Sequence, residues 1–424
     1  MTTPATDTAG YRYPIKSFER FGVELEYMIV DRDTLNVRPI CDELLKAVTG
    51  TYDGEVMPDG DNSPIAWSNE LALHVVEFKT AEPAATLTGL DEQFHSHVRR
   101  VNELLAPMNA RLLPTAMHPW MDPHKELMLW PHDASPIYEA FNRIFSCQGH
   151  GWANLQSVHL NLPFADDEEF GRLHAAIRAV LPLVPAIAAA SPLADGKLTG
   201  FKDTRIDVYR TNARRVPSVS GHAIPEPVYT RKAYEGELLA GIYRDIAPLD
   251  PDGTLQYEWL NARGCIARFD RGSIEVRLLD IQECPRADLA IVALIVETVR
   301  ALADERWIDQ RALRSLDMLA MADVLTKTTR DAENAPVTYA PLLRAFGINK
   351  DNATAGTVWQ HLVAELIPAG SPWRETLDAI CAHGTLATRI INALGLSPDR
   401  PAIEKTYRRL ADCLDHDRLF DPGS

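Results

Sequence analysis

The sequence predicts an α+β fold, with an antiparallel sheet in the first two-thirds of the chain and helices in the last third. Three observations carry this. Strand-like stretches at 21–31, 71–79, 111–115, 154–162, 264–270 and 273–280 do not alternate regularly with helices, as a parallel α/β sheet requires. The last two are separated by Arg271-Gly272, a hairpin signal. After Arg286 the apolar residues recur every three to four positions, the period of a helix. The organisation read from this is a loose polar tail at 1–20, a sheet core with inserted helices at 21–285, and a helical part packed on that core at 286–424. A chain of 424 residues, 46% hydrophobic and 24% charged, has enough apolar material for a large core.

The helices come in order along the chain. Residues 93–108 carry Val98, Val101, Leu104 and Leu105 at helical spacing. Residues 166–190 form a second long helix, opened by an acidic stretch that suits a helix N-terminus. Its end, "AVLPLVPAIAAA", is shorter than the roughly 20 residues a bilayer needs and holds two prolines, so it reads as a buried helix end. Residues 200–230 are rich in Arg, Pro, Ser and Gly and read as a long functional loop, followed by a helix at 231–246. "RADLAIVALIVETVRALADERW" is a strong helix, and 353–366, 373–383, 384–394 and 402–414 are helical by spacing.

Charge and cysteine usage narrow the function. A formal net charge of −16 argues against non-specific binding to nucleic acid or anionic membranes, and leaves small molecules as the expected partners. Six scattered cysteines without a C-x-x-C pattern read as reduced thiols of a cytoplasmic protein. The start "MTTPATDTAG" shows no signal-peptide pattern. A homo-oligomer is left open.

The strand "FGVELEYMIVD" poses a problem. Glu24 and Glu26 are two residues apart, so they share one face of a strand, roughly 7 Å from each other. Val23, Leu25 and Tyr27 occupy the other face and suit a core. Two buried carboxylates side by side need something positive between them. The same device recurs. "NELALHVVEFKT" carries Glu70 and Glu77 around an apolar strand core. "NLQSVHLNLPF" puts His159 and Asn161 on one face, and "RGSIEVRLLD" does the same with Glu275 and Arg277. Taken singly, each has a bland explanation: a solvent-facing acid, a satisfied histidine, a surface ion pair. Together they describe one polar face bearing a multi-metal site. Oxygen ligands with one imidazole and no thiolate favour Mg²⁺ or Mn²⁺ over zinc.

The stretches "FGVELEYMIVD", "HVVEFKT", "QSVHLNLP" and "GSIEVRLLD" resemble glutamate–cysteine ligase family 2, the carboxylate–amine ligases of the glutamine synthetase superfamily. The resemblance runs from about Phe21 to about Cys284. It implies that the antiparallel sheet curves into a funnel with helices outside it, and that ATP and divalent metal are used to join a carboxylate to an amine. It implies Glu26, Glu70 and Glu77 as one metal site and Glu24, His159 and Glu275 as another near the ATP phosphates. Arg277 would contact the transferring phosphate.

No Gly-x-x-x-x-Gly-Lys loop is present, so metals and arginines would hold the phosphates. Arg205, Arg210, Arg214 and Arg215 are candidates for an anion clamp, or else a solvated basic segment. Arg277 with Arg210 form the candidate catalytic pair, and Arg277 with Arg214 the candidate nucleotide contacts. His118 and His124 read as part of a structural loop, and His95 and His97 lie on different sides of a helix. The resulting expectation is an ATP- and Mg²⁺-dependent ligase making an amide through an acyl phosphate, with γ-glutamyl transfer to cysteine or a related amine. A metal-dependent hydrolase and a non-catalytic metabolite-binding protein of the same fold are the alternatives.

Overall fold

A computed structural model describes residues 12–423, so the first eleven residues of the expected tail lie outside it. Twelve strands occur among the described residues. They are β1 (Gly22–Asp31), β2 (Glu55–Val56), β3 (Ile65–Asn69), β4 (Val75–Thr80), β5 (Ala110–Leu113) and β6 (Ser157–Pro163). Then come β7 (Leu193–Ala194), β8 (Lys197–Leu198), β9 (Cys265–Arg268), β10 (Ser273–Asp280), β11 (Pro336–Val337) and β12 (Ala353–Thr354). Eight of them build one sheet in the order β2-β3-β4-β1-β6-β10-β9, with β5 added to β1. Every pairing in it is antiparallel, as expected.

Strand β1 organises the sheet. One edge pairs with β4, while β6 and β5 take successive stretches of the other, Gly22–Leu25 and Met28–Asp31. Close packing at its start demands glycine: a Cβ on Gly22 would lie 2.9 Å from the Cβ of Asn161. Period-two alternation sends Val23, Leu25, Tyr27, Trp67, Phe78, Val158, Leu160, Ile274 and Val276 into one hydrophobic core. Helices Leu90–Leu105, Asp167–Val180 and Pro285–Ala303 share that core, the last with almost every residue buried. The opposite face keeps the polar residues.

The C-terminal helices close over this arrangement. Ala355–Leu366 and Arg374–His383 pack on Pro285–Ala303, and Arg400–His416 packs on Leu90–Leu105 and β5. No helix among the described residues is long and apolar enough to cross a membrane.

Several elements differ from the sequence expectation. The helix expected at 166–190 is α-helical only over Asp167–Val180 and continues as short turns, because Pro182 and Pro185 donate no backbone hydrogen bond. The 200–230 segment holds a helix, Thr204–Tyr209, capped by the Asp203 carboxylate on the Ile206 amide. Strand β9 stops at Arg268, so its hairpin loop is Phe269–Gly272 rather than two residues, with Gly272 at φ +69°. Strand β4 begins at Val75 rather than Leu71, which leaves Glu70 well before it on the β3–β4 connection. That connection is held by Leu71 and Leu73, which bond the backbone of Trp130 and Met128. Strand β3 and helices Cys41–Thr49 and Ser135–Phe145 lie outside the elements the sequence predicts.

Candidate active site

The polar face is assembled by register. Across β1, Glu24 lies opposite His159 on β6 and Lys79 on β4, and Glu26 lies opposite Glu77. Glu77 in turn faces Ser68 on β3, and Asn161 faces Glu275 on β10. Directly opposed residues point the same way in an antiparallel pair, so these side chains share one face.

Strand β10 carries a β-bulge. Arg277 and Leu278 together oppose the single residue His159, since Val276 pairs with Leu160 and Leu279 with Val158. The extra residue reverses the alternation beyond it. Glu275 and Arg277 lie on the polar side before the bulge, and Asp280, opposite Ser157, lies there after it. The Asp280 carboxylate accepts bonds from the Ala190 amide, Ser191 Oγ and Arg205 Nε.

His159 sits between the acids. Its Nδ1 is 2.9 Å from Glu24 Oε2 and 3.8 Å from Glu275 Oε1. Its Nε2 is 3.0 Å from Ser157 Oγ and 3.7 Å from Glu26 Oε1. Asn161 donates to Glu24 Oε1 at 2.9 Å, and the Ser157 amide to Glu26 Oε2 at 2.7 Å. Ser68 Oγ donates to Glu77 Oε2 at 2.6 Å, and Arg277 Nε to Glu275 Oε1 at 2.6 Å. Lys79 Nζ bridges Glu55 at 2.6 Å and Glu77 at 3.6 Å.

Protons and lysine supply the positive charge that the paired glutamates demand. Burial opposes the imidazolium of His159, but its bond to Glu24 and the charges of Glu26, Glu24 and Glu275 raise its pKa to about 9. Burial likewise opposes ionised Glu24, yet the His159 bond and charge hold its pKa at about 2. Burial, then the charge of Glu26, pushes Glu70 up to about 7. Burial and the charges of Glu24 and Glu70 push Glu77 well above the carboxylate range.

This donor set fits divalent cations. Two triads, Glu24–His159–Glu275 and Glu26–Glu77–His159, each present ligand atoms within 4.8 Å of one another. Carboxylates dominate both, the chemistry that suits Mg²⁺ or Mn²⁺. A cation bound here would compete with the proton that His159 favours. Glu70 lies outside both triads but lines a cavity shared with Glu26, His159 and Arg277.

Two cavities meet the acids from different ends. One of about 370 Å³ is lined by Glu24, Lys79, Asn161 and Arg271 together with Tyr13, Ile15 and Pro83. The other, of about 260 Å³, is lined by Glu26, Glu70, His159, Arg205 and Arg277 and by aromatic side chains.

The remaining arginines are dispersed. Arg210 donates to Thr326 Oγ1 at 2.6 Å, lies 3.5 Å from Asp207 and lines neither cavity. Arg214 is exposed, also away from both. Arg215 donates to the Ile144 carbonyl at 2.9 Å. Of the four in that segment, Arg205 alone lines the acidic cavity. Sequence reasoning passed over Lys79, although it comes two residues after Glu77 and so shares its face. It also passed over Ser157, two residues before His159, and Asp280, whose face the bulge conceals.

Comparison with known proteins identifies the family. The model of glutamate-cysteine ligase family 2 matches residues 20–350. An uncharacterized protein of Archaeoglobus fulgidus is 36% identical over 289 residues, covering 68% of this chain and 76% of its own. A Salinispora tropica protein, named "Putative glutamate--cysteine ligase 2", is 24% identical over 328 residues, covering 75% and 74%. Among solved structures, a Francisella tularensis glutamate–cysteine ligase in complex with AMP superposes with a TM-score of 0.57 at 12% identity, covering 95% of this chain and 90% of that one. That likeness shows the fold. With the family match spanning most of the sheet and its acids, the chain belongs to glutamate–cysteine ligase family 2 and so to the ligases that form C–N bonds between a carboxylate and an amine.

Proposed function

We propose that the protein is an ATP- and Mg²⁺-dependent carboxylate–amine ligase, with Mn²⁺ as an alternative ion, that activates the γ-carboxylate of glutamate and transfers the γ-glutamyl group to cysteine or a related amine. The observation that carries this reading is the pair of carboxylate triads sharing His159 on one face of the sheet, with Arg277 beside them. A carboxylate is a poor electrophile. In the proposed reaction a carboxylate oxygen attacks the γ-phosphorus of ATP and ADP departs. The amine nitrogen then attacks the acyl carbon, loses a proton and expels inorganic phosphate, leaving the amide.

Divalent cations held by Glu24, His159 and Glu275 and by Glu26 and Glu77 would supply charge neutralisation to the phosphate oxygens. The chain's own part is positioning. Glu24, Glu26, Glu77, His159 and Glu275 project from four neighbouring strands, so the sheet fixes their spacing before any ligand arrives. Arg277 has its Nε committed to Glu275 and lines the acidic cavity, which orients a permanent positive fork toward a transferring phosphoryl group. The proposed partners are small amino-acid or amine substrates, and the expected location is the cytoplasm.

Oxygen transfer tests the chemistry. With ¹⁸O in the γ-carboxylate of glutamate, an acyl phosphate delivers one label into the inorganic phosphate released with the amide. Unlabelled phosphate formed alongside amide would rule out that intermediate.

A further inference from the structure

The cavity beside Glu26 and Glu70 has walls unlike the rest of the molecule. Tyr138 and Phe141 from helix Ser135–Phe145, Trp152, Tyr209 and Trp259 all line it. Each of these five rings is half-buried. By contrast, Trp67, Trp130 and Trp359 are fully enclosed, as core aromatics are. Phe141 joins the group together, with its ring centroid 5.2 Å from Trp152 and 5.8 Å from Trp259. The rings come from four separate segments and together line a space of about 260 Å³. Glu26 and Glu70 border the same space, together with His159, Arg205 and Arg277.

From this we infer that the amine acceptor carries an aromatic or extended apolar group, so that its amine head meets Glu70, the acid outside both triads, and a ring fills the aromatic wall. The inference rests on the ligase reading and narrows its substrate class. The other cavity, larger at about 370 Å³ and bordered by Lys79 and Arg271, is the better fit for a nucleotide. A small thiol such as that of cysteine would leave the ring faces wet. An apolar pocket discriminates by about tenfold or more for each methylene-sized group it can enclose.

The test measures phosphate release by the full chain with ATP, Mg²⁺ and glutamate, and compares phenethylamine, cysteine and methylamine as acceptors. Phenethylamine is expected to give kcat/KM at least about tenfold above the other two. In Phe141→Ala that preference is expected to collapse toward unity, with Phe141→Leu, which retains apolar volume, intermediate. Equal or better use of cysteine or methylamine overturns the inference while leaving the ligase reading intact. So does a preference that survives Phe141→Ala. If no amine supports phosphate release, the ligase reading fails, and the part of the tryptophan fluorescence change that is lost in a Trp152→Phe, Trp259→Phe double variant decides the pocket's specificity alone. Quenching by phenethylamine and not by methylamine then supports an aromatic-amine site, and no quenching overturns it.

Discussion

Replacing Arg205 by methionine removes one cation from the most buried ion pair next to the candidate site. The Arg205 side chain is 2% exposed and that of Asp280 0%. Asp280 keeps its bonds from the Ala190 amide and Ser191 Oγ, both 2.8 Å, but loses its guanidinium. Neighbouring Asp203 gives no help: burial and the charge of Asp280 push its carboxyl well above the usual range. Breaking a buried pair by removing one partner costs about 3–5 kcal/mol, because the remaining charge is stranded. For a chain of this length that corresponds to a fall in Tm of roughly 3–5 °C. Adding Asp280→Asn removes the stranded charge and restores about 1–3 kcal/mol. Urea unfolding of wild type, both single variants and the double variant at pH 7, followed by tryptophan fluorescence, measures the cycle. A loss below about 1 kcal/mol in Arg205→Met, or strictly additive costs in the double variant, would refute the claim that the pair acts as a unit. Arg205 also places its two terminal nitrogens 3.3–3.4 Å from the Arg277 carbonyl at the bulge, so its loss is expected to lower activity as well.

Other perturbations have equally definite outcomes. Glu24→Gln and Glu275→Gln are expected to lower amide formation at least about a hundredfold while circular dichroism melts stay cooperative; a collapsed melt with Mg²⁺ present would assign them a structural role. Saturating Mg²⁺, at about a hundredfold over Kd, stabilises the wild type by about 2.7 kcal/mol, or roughly 3 °C by calorimetry. That shift should shrink in Glu26→Gln. His118 gives a pH dependence unrelated to ligands. It is buried, its Nε2 lies 2.7 Å from the Leu35 carbonyl, and its Nδ1 accepts from the Trp120 amide at 3.3 Å. Burial pushes its pKa down to about 3, against about 6.5 for an unfolded chain. The unfolded state therefore binds the extra proton first. The stability carried by the neutral ring is fully present above pH 6.5 and is lost as pH falls, by about 2 kcal/mol at pH 5. In His118→Gln, the drop between pH 7 and pH 5 should be smaller by that amount in urea unfolding.

The acid face was legible because strand periodicity is simple. Glu24 with Glu26, His159 with Asn161, and Glu275 with Arg277 each sit two apart, and a two-residue period puts them on one side whatever the tertiary context. The features that escaped did so for identifiable causes. Glu70 flanks the strand expected at 71–79, but the segment after it first turns to bond the 128–130 backbone, and pairing starts at Val75. Asp280 escaped because one extra residue at Arg277–Leu278 reverses the alternation. The arginine-rich segment carries no period, so nothing in the sequence separated Arg205, drawn inward by Asp280, from exposed Arg214. The aromatic wall is scattered from Tyr138 to Trp259, and only the folded chain brings it together.

The central claim is that this acid face couples ATP cleavage to amide formation. The measurement that tests it most directly is ADP release with Mg²⁺, ATP and glutamate, with and without a panel of amines that includes cysteine. Predicted is ADP formation that requires both glutamate and an amine, matched mole for mole by amide. ADP formation indifferent to both, or none with any amine despite bound ATP, would contradict the account.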